Sequence, residues 1–348
     1  MPKLLNFLKR PTDSFFGVVF DSKKLTVLLF KAGQPVRHTQ EHLTADVVLD
    51  GRIVDLEQFA QALNVCIERC LSQYLGDTPN EIYFGVSGNN CVGSTTGGRQ
   101  QRDPHQKITK STLVDIYREI GENSLENALN DVYEVTGNSD AELESVFSET
   151  ALIKLDGTVT YNPIDQTAGV LEIQTYNAYC SPAFVDSLED AAKSVGLSFG
   201  GVYPLQFLLS KKLKGRMGET YDATLISIHS DLTDISIVFG GMFIRNRTLP
   251  LGSRDFESDL DFWMDGLELA FLEFSGVKTF SNNIYVCGAG LDKTDFWEML
   301  EWREWEEKIP FKTKPIFTKL DAASVGLPQD YRNELLICGL LGICKELA

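Results

Sequence analysis

The 348-residue sequence has no apolar run approaching the roughly 20 residues that a helix needs to span a bilayer. Positive charge is also short: 32 Lys and Arg stand against 49 Asp and Glu, a formal net charge of −17. That balance argues against non-specific nucleic-acid binding, which depends on cations that neutralise phosphates. It argues equally against general adsorption to anionic lipid, although a local basic patch can still act. Histidine is scarce, and His38, His42, His105 and His229 show no HExxH or triad context. The seven cysteines (Cys66, Cys70, Cys91, Cys180, Cys287, Cys338 and Cys344) are odd in number and include no CxxC pair. Zinc sites show closely spaced ligand pairs, so no metal is expected. Cys66 and Cys70, four apart on one helix face, suit packing, and reduced thiols of a cytoplasmic protein are the expectation. No catalytic residues emerge from this inventory.

Hydrophobic residues make up 43% of the chain, aromatic 10% and charged 23%, an ordinary globular composition with room for about two or three domains. The N-terminal MPKLLNFLKRP mixes Leu4, Leu5, Phe7 and Leu8 with Lys3, Lys9 and Arg10 and lacks a small-residue cleavage site, so it does not read as a signal peptide. A tail over 1–12 is expected, which either touches a membrane surface, docks on the chain's own surface or meets a partner.

FFGVVF (15–20) and LTVLLF (25–30), split by Asp21-Ser22-Lys23-Lys24, predict a β-hairpin. Further strands are expected over 35–43 and 47–49, then a turn at Asp50-Gly51-Arg52. Asp55 followed by Gln58 is a capping-box pattern for a helix from about 56 to 75, with Phe59, Ala62, Leu63, Cys66, Ile67, Cys70 and Leu71 on its core face. EIYFGVS (81–87) reads as a strand. Residues 88–104, rich in glycine, read as an exposed loop or hairpin tip; with no GK[ST] after them they are not a P-loop. Helices are expected over 109–120 and 125–135, helical or capped coil over 140–147, a hairpin around Asp156-Gly157, a strand over 169–179, and helices over 183–195 and 202–213.

The most ordered stretch is 223–252. Ala223–Ile228 is apolar, Asp231-Leu232-Thr233 turns, Asp234–Phe239 alternates, Gly240-Gly241 turns again, and Met242–Leu249 returns before Pro250-Leu251-Gly252. Beyond it a helix is expected over 256–274, a strand over 283–287 ending at Gly288-Ala289-Gly290, a helix over 294–305, an edge strand over 315–319 and a final helix over 331–346. In 295–307 (DFWEMLEWREWEE), Phe296, Met299, Leu300, Trp302 and Trp305 recur at helical spacing, for the core or for a partner. The chain shows no solenoid repeat, but its two halves each begin with a hairpin and a polar turn.

The ordered series FFGVVFDSKKLTVLLF, DGRIVDLEQFAQAL, EIYFGVSGN, YNP before an LEI strand, ATLISIHSDLTDISIVFGG with LPLG, NIYVCGAG and LLICGLLGI resembles the FtsA/PilM group of bacterial actin-like proteins. The resemblance implies an α/β chain with an actin-like, ribonuclease H-like duplicated fold and an inserted α+β subdomain of the SHS2 type. It divides the chain into 1–81 (subdomain IA, first part), 82–197 (the insert), 198–222 (IA return) and 223–348 (IIA). Subdomain IIB is reduced to about 253–282. The chain ends at its last apolar helix, nearer the PilM pattern than that of FtsA, which adds an amphipathic tail.

The departures from the family pattern are chemical. In the first phosphate loop the family's Asp falls on Val19 and its Gly on Asp21, while Ser22 keeps the hydroxyl and Lys23 follows. In the second, Asp-apolar-Gly becomes Ser227-Ile228-His229, Asp231 replaces a further Gly, and Thr233 and Asp234 remain. The adenosine-side glycines become Gly288-Ala289-Gly290. An extra carboxylate facing a polyanion costs on the order of 4 kcal/mol per unit charge pair at about 4 Å and an effective dielectric near 20. The resemblance therefore implies degenerate loops with no cofactor expected, ATP and Mg²⁺ entering only if those loops still bind, and no metal otherwise. It implies a cytoplasmic scaffold, possible at the inner face of the membrane, that takes the tail of a membrane protein in a groove lined by 81–87 and 109–120 and can self-associate. The alternatives are an FtsA-like division adaptor, disfavoured because its contact region is missing here, and a working ATPase.

Overall fold

The structure is a computed structural model and describes residues 13–347 apart from 50, 73, 275, 329–330 and 332–334. The expected tail at 1–12 lies outside the described residues, as does part of the expected final helix. β1 (Ser14–Phe20) and β2 (Lys24–Lys31) form the first hairpin, and β3 (Gln34–His42) returns along β2. A short ribbon, β4 (Val48–Leu49) and β5 (Arg52–Ile53), leads to α1 (Leu56–Leu71). Asp55 caps α1: its carboxylate accepts the Gln58 backbone N–H at 2.9 Å and the Gln58 side-chain amide at 2.8 Å. Phe59, Leu63, Cys66, Ile67 and Cys70 are buried, while Glu57, Gln61, Asn64 and Glu68 face outward. β6 (Glu81–Val86) then pairs with β1 in parallel.

The glycine-rich segment is not a loop. After a 3₁₀ turn at Gly88–Asn90 it forms β7 (Val92–Gln101), which lies along β10 (Val170–Cys180) residue by residue. Its glycines make room for distant side chains: a Cβ at Gly93 would sit 2.1 Å from the Tyr176 hydroxyl, and one at Gly98 would sit 2.8 Å from Ile120. The two helices expected after it are one, α2 (Lys110–Thr136), capped by Thr109 and ended by Gly137 at φ +68. Residues 140–147 lead into a strand, β8 (Glu144–Leu155), which turns into β9 (Thr158–Val159). α3 (Pro182–Ser194) follows β10. The expected helix over 202–213 begins instead as β11 (Ser198–Pro204), parallel to β6, and becomes helical only in α4 (Leu205–Met217). Gly200 and Gly201 hide that strand from a periodicity reading.

β12 (Ala223–Ile228), β13 (Thr233–Phe239) and β14 (Met242–Leu249) form the predicted double hairpin. Gly240 and Gly241 take φ +58 and +71, the pair of positive values that a tight two-residue turn requires. Among the described residues, two helices bridge β14 to β15 (Asn283–Gly288): α5 (Asp255–Ser258) and α6 (Leu260–Leu272). α7 (Thr294–Trp302) and a 3₁₀ turn precede the edge strand β16 (Ile316–Lys319). Phe296, Leu300 and Trp305 are core residues, whereas Trp302 is exposed. The C-terminal segment passes from a helical turn, Leu336–Gly339, through a 3₁₀ segment, Leu340–Ile343, to a second turn, Cys344–Leu347, and Gly342 packs directly against the Gly33 carbonyl.

The two halves repeat one topology. The first sheet runs β11-β6-β1-β2-β3, and five strands of the second run β16-β15-β12-β13-β14. In each, two antiparallel hairpins are followed by two strands parallel to the first. β7, β10, β8 and β9 extend the second sheet through a single register pair, Arg245 with Ser94. That thin joint is reinforced by a hydrogen bond from Thr95 Oγ1 to the Phe243 carbonyl and by Arg247, buried, which reaches Asp131 of α2 at 3.2 Å. Tyr176 stacks on Phe207 at 4.0 Å beneath it.

Candidate functional site

Corresponding turns of the two halves, β1–β2 and β12–β13, meet tip to tip. Each tip carries one serine and one aspartate, and each aspartate accepts from the opposite serine. Ser230 Oγ donates to Asp21 Oδ2 at 2.7 Å. Ser22 Oγ donates to Asp231 Oδ2, and the Ser22 backbone N–H reaches the same oxygen at 3.3 Å. Asp21 also braces its own turn, its Oδ1 accepting the N–H groups of Lys23 and Lys24 at 2.9 and 2.8 Å. The Lys23 side chain is exposed. Arg254 lies behind the second tip, its guanidinium 3.7 Å from Asp231 and donating to the Ser230 carbonyl at 3.4 Å. Sequence reading singled out Asp21, Ser22 and Asp231 but missed Ser230 and Arg254. The signal available was the inverted order, Asp21-Ser22 at one tip and Ser230-Asp231 at the other.

Beneath the tips the remaining positions serve the fold. Val19 is buried in β1, its Cγ2 against Gly85 of β6. Ser227 is buried and hydrogen-bonds Cys287 Sγ on β15 at 3.2 Å; burial raises that thiol to about 12, the Ser227 bond opposing. Thr233 Oγ1 donates to the Leu251 carbonyl at 2.8 Å and accepts the Trp263 indole N–H at 3.1 Å. Asp234, fully buried, accepts Thr248 Oγ1 at 2.6 Å and the Gly88 N–H at 3.2 Å, with His229 Nε2 at 3.6 Å. A cavity of about 10 Å³, enough for one water, lies beside Asp234 and is lined in part by Ser87, Gln206 and Asn246. Ser87 Oγ and Gln206 Nε2, both on its lining, have no protein partner. Gly288 is held at φ +112 against the Ile228 carbonyl, which accepts the Ala289 N–H at 2.9 Å, and Gly290 faces the Phe256 ring.

The groove expected between 81–87 and 109–120 is not formed by those elements. β6 is a central strand flanked by β1 and β11 with Ile82, Tyr83, Phe84 and Val86 buried, and α2 packs on β7 and β10. An open groove of about 570 Å³ lies instead along α1 and the end of α3, lined by Leu56, Glu57, Ala60, Gln61, Asn64 and Ser194. Among the described residues no group of three His, Cys, Asp or Glu is placed to hold a metal, and no helix is long and apolar enough to cross a membrane. The seven cysteines are all buried.

No family model and no curated protein matches the sequence. Solved structures do. A PilM-PilN type IV pilus biogenesis complex is matched over 97% of this chain and 99% of that one, at 10% identity and a TM-score of 0.64. A Bacteroides thetaiotaomicron protein with an actin-like ATPase fold is matched over 95% and 96%, at 9% identity and a TM-score of 0.42. The cytoplasmic domain of EpsL, an inner membrane component of the type II secretion system of Vibrio cholerae, is matched over 96% and 95%, at 8% identity and a TM-score of 0.39. With its duplicated five-stranded halves meeting at their hairpin tips, and its end-to-end likeness to PilM, the chain is an α/β protein of the actin-like fold.

Proposed function

We propose that this protein is a non-catalytic actin-like scaffold for a pilus- or secretion-type assembly, binding a membrane-associated protein partner and working without nucleotide. The observation that carries the reading is the reciprocal Ser–Asp bonding of the two hairpin tips. In an actin-like nucleotide site these turns would surround phosphates with backbone N–H groups. Here two carboxylates occupy that space and already accept the serines and turn amides that a phosphate would need. An incoming triphosphate would have to break these bonds and face Asp21 and Asp231, with Arg254 as a partial offset. PilM, whose fold this chain shares, was solved as part of a complex with PilN, which favours a protein partner over a small substrate. Within the block 82–197, the part that follows β6 is read as the inserted subdomain of such a scaffold.

Calorimetric titration with Mg-ATP tests the nucleotide half of the proposal: no heat is expected up to millimolar ligand, and saturable micromolar binding would sink it. Co-sedimentation tests the partner half. Binding is expected to native inner-membrane vesicles but not to protein-free liposomes, and should disappear after protease shaving of the vesicles. Equal binding to shaved vesicles or to liposomes overturns a protein partner.

A further inference from the structure

α1 and α6 hold the same place in the two halves, between the third and fourth strands, and each buries one face. Their outer faces differ. α1 shows Glu57, Gln61, Asn64 and Glu68 to solvent. α6 shows Phe262, Leu269 and Leu272, which are 57%, 62% and 54% exposed, and Trp302 at the end of α7 is 81% exposed. Seven- and three-residue spacings put Phe262, Leu269 and Leu272 along one side of the helix. Arg303, next to Trp302, bonds Asp265 and Glu268 of α6, which brings the end of α7 to this stripe. The surroundings are acidic: residues 255–307 hold fourteen Asp or Glu against three Lys or Arg. Single exposed apolar residues are ordinary; Arg303 and Lys308 pair with Asp265 and Glu268 here, but α6 and α7 themselves carry six Asp or Glu and no Lys or Arg, and an apolar stripe on such net acidic elements selects an occupant that is itself apolar and cationic.

One segment of this chain has that chemistry. Residues 1–12 contain Lys3, Lys9 and Arg10, no carboxylate, and Leu4, Leu5, Phe7 and Leu8, in a chain whose net charge is −17. We propose that the first twelve residues of one copy dock on the α6–α7 face of a second copy. The position of β1 favours a second copy over the same one. β1 lies in the core that reaches the second sheet through Leu225 and Val238, whereas α6 packs Trp263 and Leu267 with Ile226 and Ile235, which alternate with those residues and so lie on the other face of that sheet. A tail docking on its own α6 would have to pass round the second sheet to its other face, a constraint that a second copy does not meet. The contact is head-to-tail, so repetition gives open chains rather than a closed dimer. It is independent of whether the cleft takes nucleotide.

Sedimentation velocity of the full chain over a concentration series tests this, at about 0.01 M and about 0.5 M salt, between which the screening length falls from roughly 30 Å to a few ångström. The expected result is association at low salt that weakens at least tenfold at high salt. Leu269→Asp should abolish it, and so, independently, should the triple substitution K3E/K9E/R10E. Leu269 is exposed, so the melting curve of L269D should match the parent and separate lost docking from lost folding. Mixing the two variants should give a 1:1 heterodimer and nothing longer, because one intact tail and one intact face survive. A parent chain that stays monomeric at every concentration overturns the proposal. So does a triple variant that associates as well as the parent, or a mixture that forms no heterodimer.

Discussion

The two halves of the molecule use one strand order and one kind of hairpin tip, yet they finish the same helix in opposite ways. α1 is amphipathic with a polar outside, and α6 carries apolar side chains on both sides. The buried faces are alike because each must cover a sheet of the same build: Phe59 and Leu63 in one half, Trp263, Leu267 and Phe271 in the other. Packing constrains the inner face and tip chemistry constrains the turns, but neither dictates apolar residues at the exposed positions 262, 269 and 272. Where that face departs from its counterpart, the cause has to be sought outside the folded chain.

The largest effect that sharpens this comparison is at the glycines closing the fourth strand of each half. A Cβ at Gly288 would lie 2.0 Å from the Ile228 carbonyl oxygen, at φ +112. Only backbone movement relieves that, so Gly288→Ala should cost about 3–5 kcal/mol. Gly88, after the equivalent β6, has φ +76 but meets only the flexible end of Leu232 at 3.1 Å. Gly88→Ala should cost about 1–2 kcal/mol, the price of a left-handed alanine. Urea midpoints of the two variants check the difference, and equal losses would mean that the Ile228 carbonyl contact does not set the second half apart at this point.

Hairpins and the α1 cap were legible because their determinants are local: period-two runs, Asp-Ser and Gly-Gly turns, and Asp55 three residues before Gln58. What stayed hidden depends on residues far along the chain. β7 reads as a loop because Gly93 and Gly98 answer to Tyr176 and Ile120, not to their neighbours. Ser230 and Asp21 are 209 positions apart, so no spacing rule joins them. The site residues were expected from a resemblance to phosphate loops; that Asp21 and Asp231 each accept from the serine of the opposite tip needed coordinates. β11 was missed because Gly200-Gly201 erases the alternation that its pairing with β6 enforces.

The next effect isolates the ion pairs that Arg303 and Lys308 make with Glu268 of α6. Glu268 on α6 is nearly buried and accepts from Lys308 and Arg303, at 2.7 Å to each. Burial pushes its carboxyl up, but the bonds from Lys308 and Arg303 outweigh that and hold it below the usual glutamate value of 4.5. The ionised form is therefore the one the fold stabilises. Its contribution is fully present above about pH 4.5 and is lost as pH falls through the lowered folded value. Glu268→Gln should cost about 2 kcal/mol at pH 7 and progressively less below pH 4. Urea midpoints between pH 3 and 7 read this out, and a variant whose loss does not change with pH rules these ion pairs out as the cause.

The tips themselves should respond more weakly, because they are only half-buried. A double-mutant cycle of Ser22→Ala and Asp231→Ala should give a coupling of about 0.5–1.5 kcal/mol, and Ser230→Ala with Asp21→Ala a similar value. Near-equal couplings fit one reciprocal device shared by both halves. A coupling near zero in either arm would leave that tip held by its own turn alone, as Asp21 partly is through Lys23 and Lys24.

The smallest effect on stability is the most direct test of the contrast between α1 and α6. Leu269→Gln gives α6 the outer surface of α1, and Gln61→Leu gives α1 that of α6. Both side chains are exposed, so each change should move the unfolding free energy by no more than about 0.5 kcal/mol. If the outer face of α6 is a contact surface, Leu269→Gln alters association at constant melting temperature, while Gln61→Leu, outside the acidic surroundings of 255–307, creates no equivalent contact. If both variants melt and sediment as the parent does, the apolar stripe is incidental. If Leu269→Gln instead lowers the melting temperature by several degrees, the leucine packs within its own chain, and the two helices differ in their share of the core rather than in what they meet outside it.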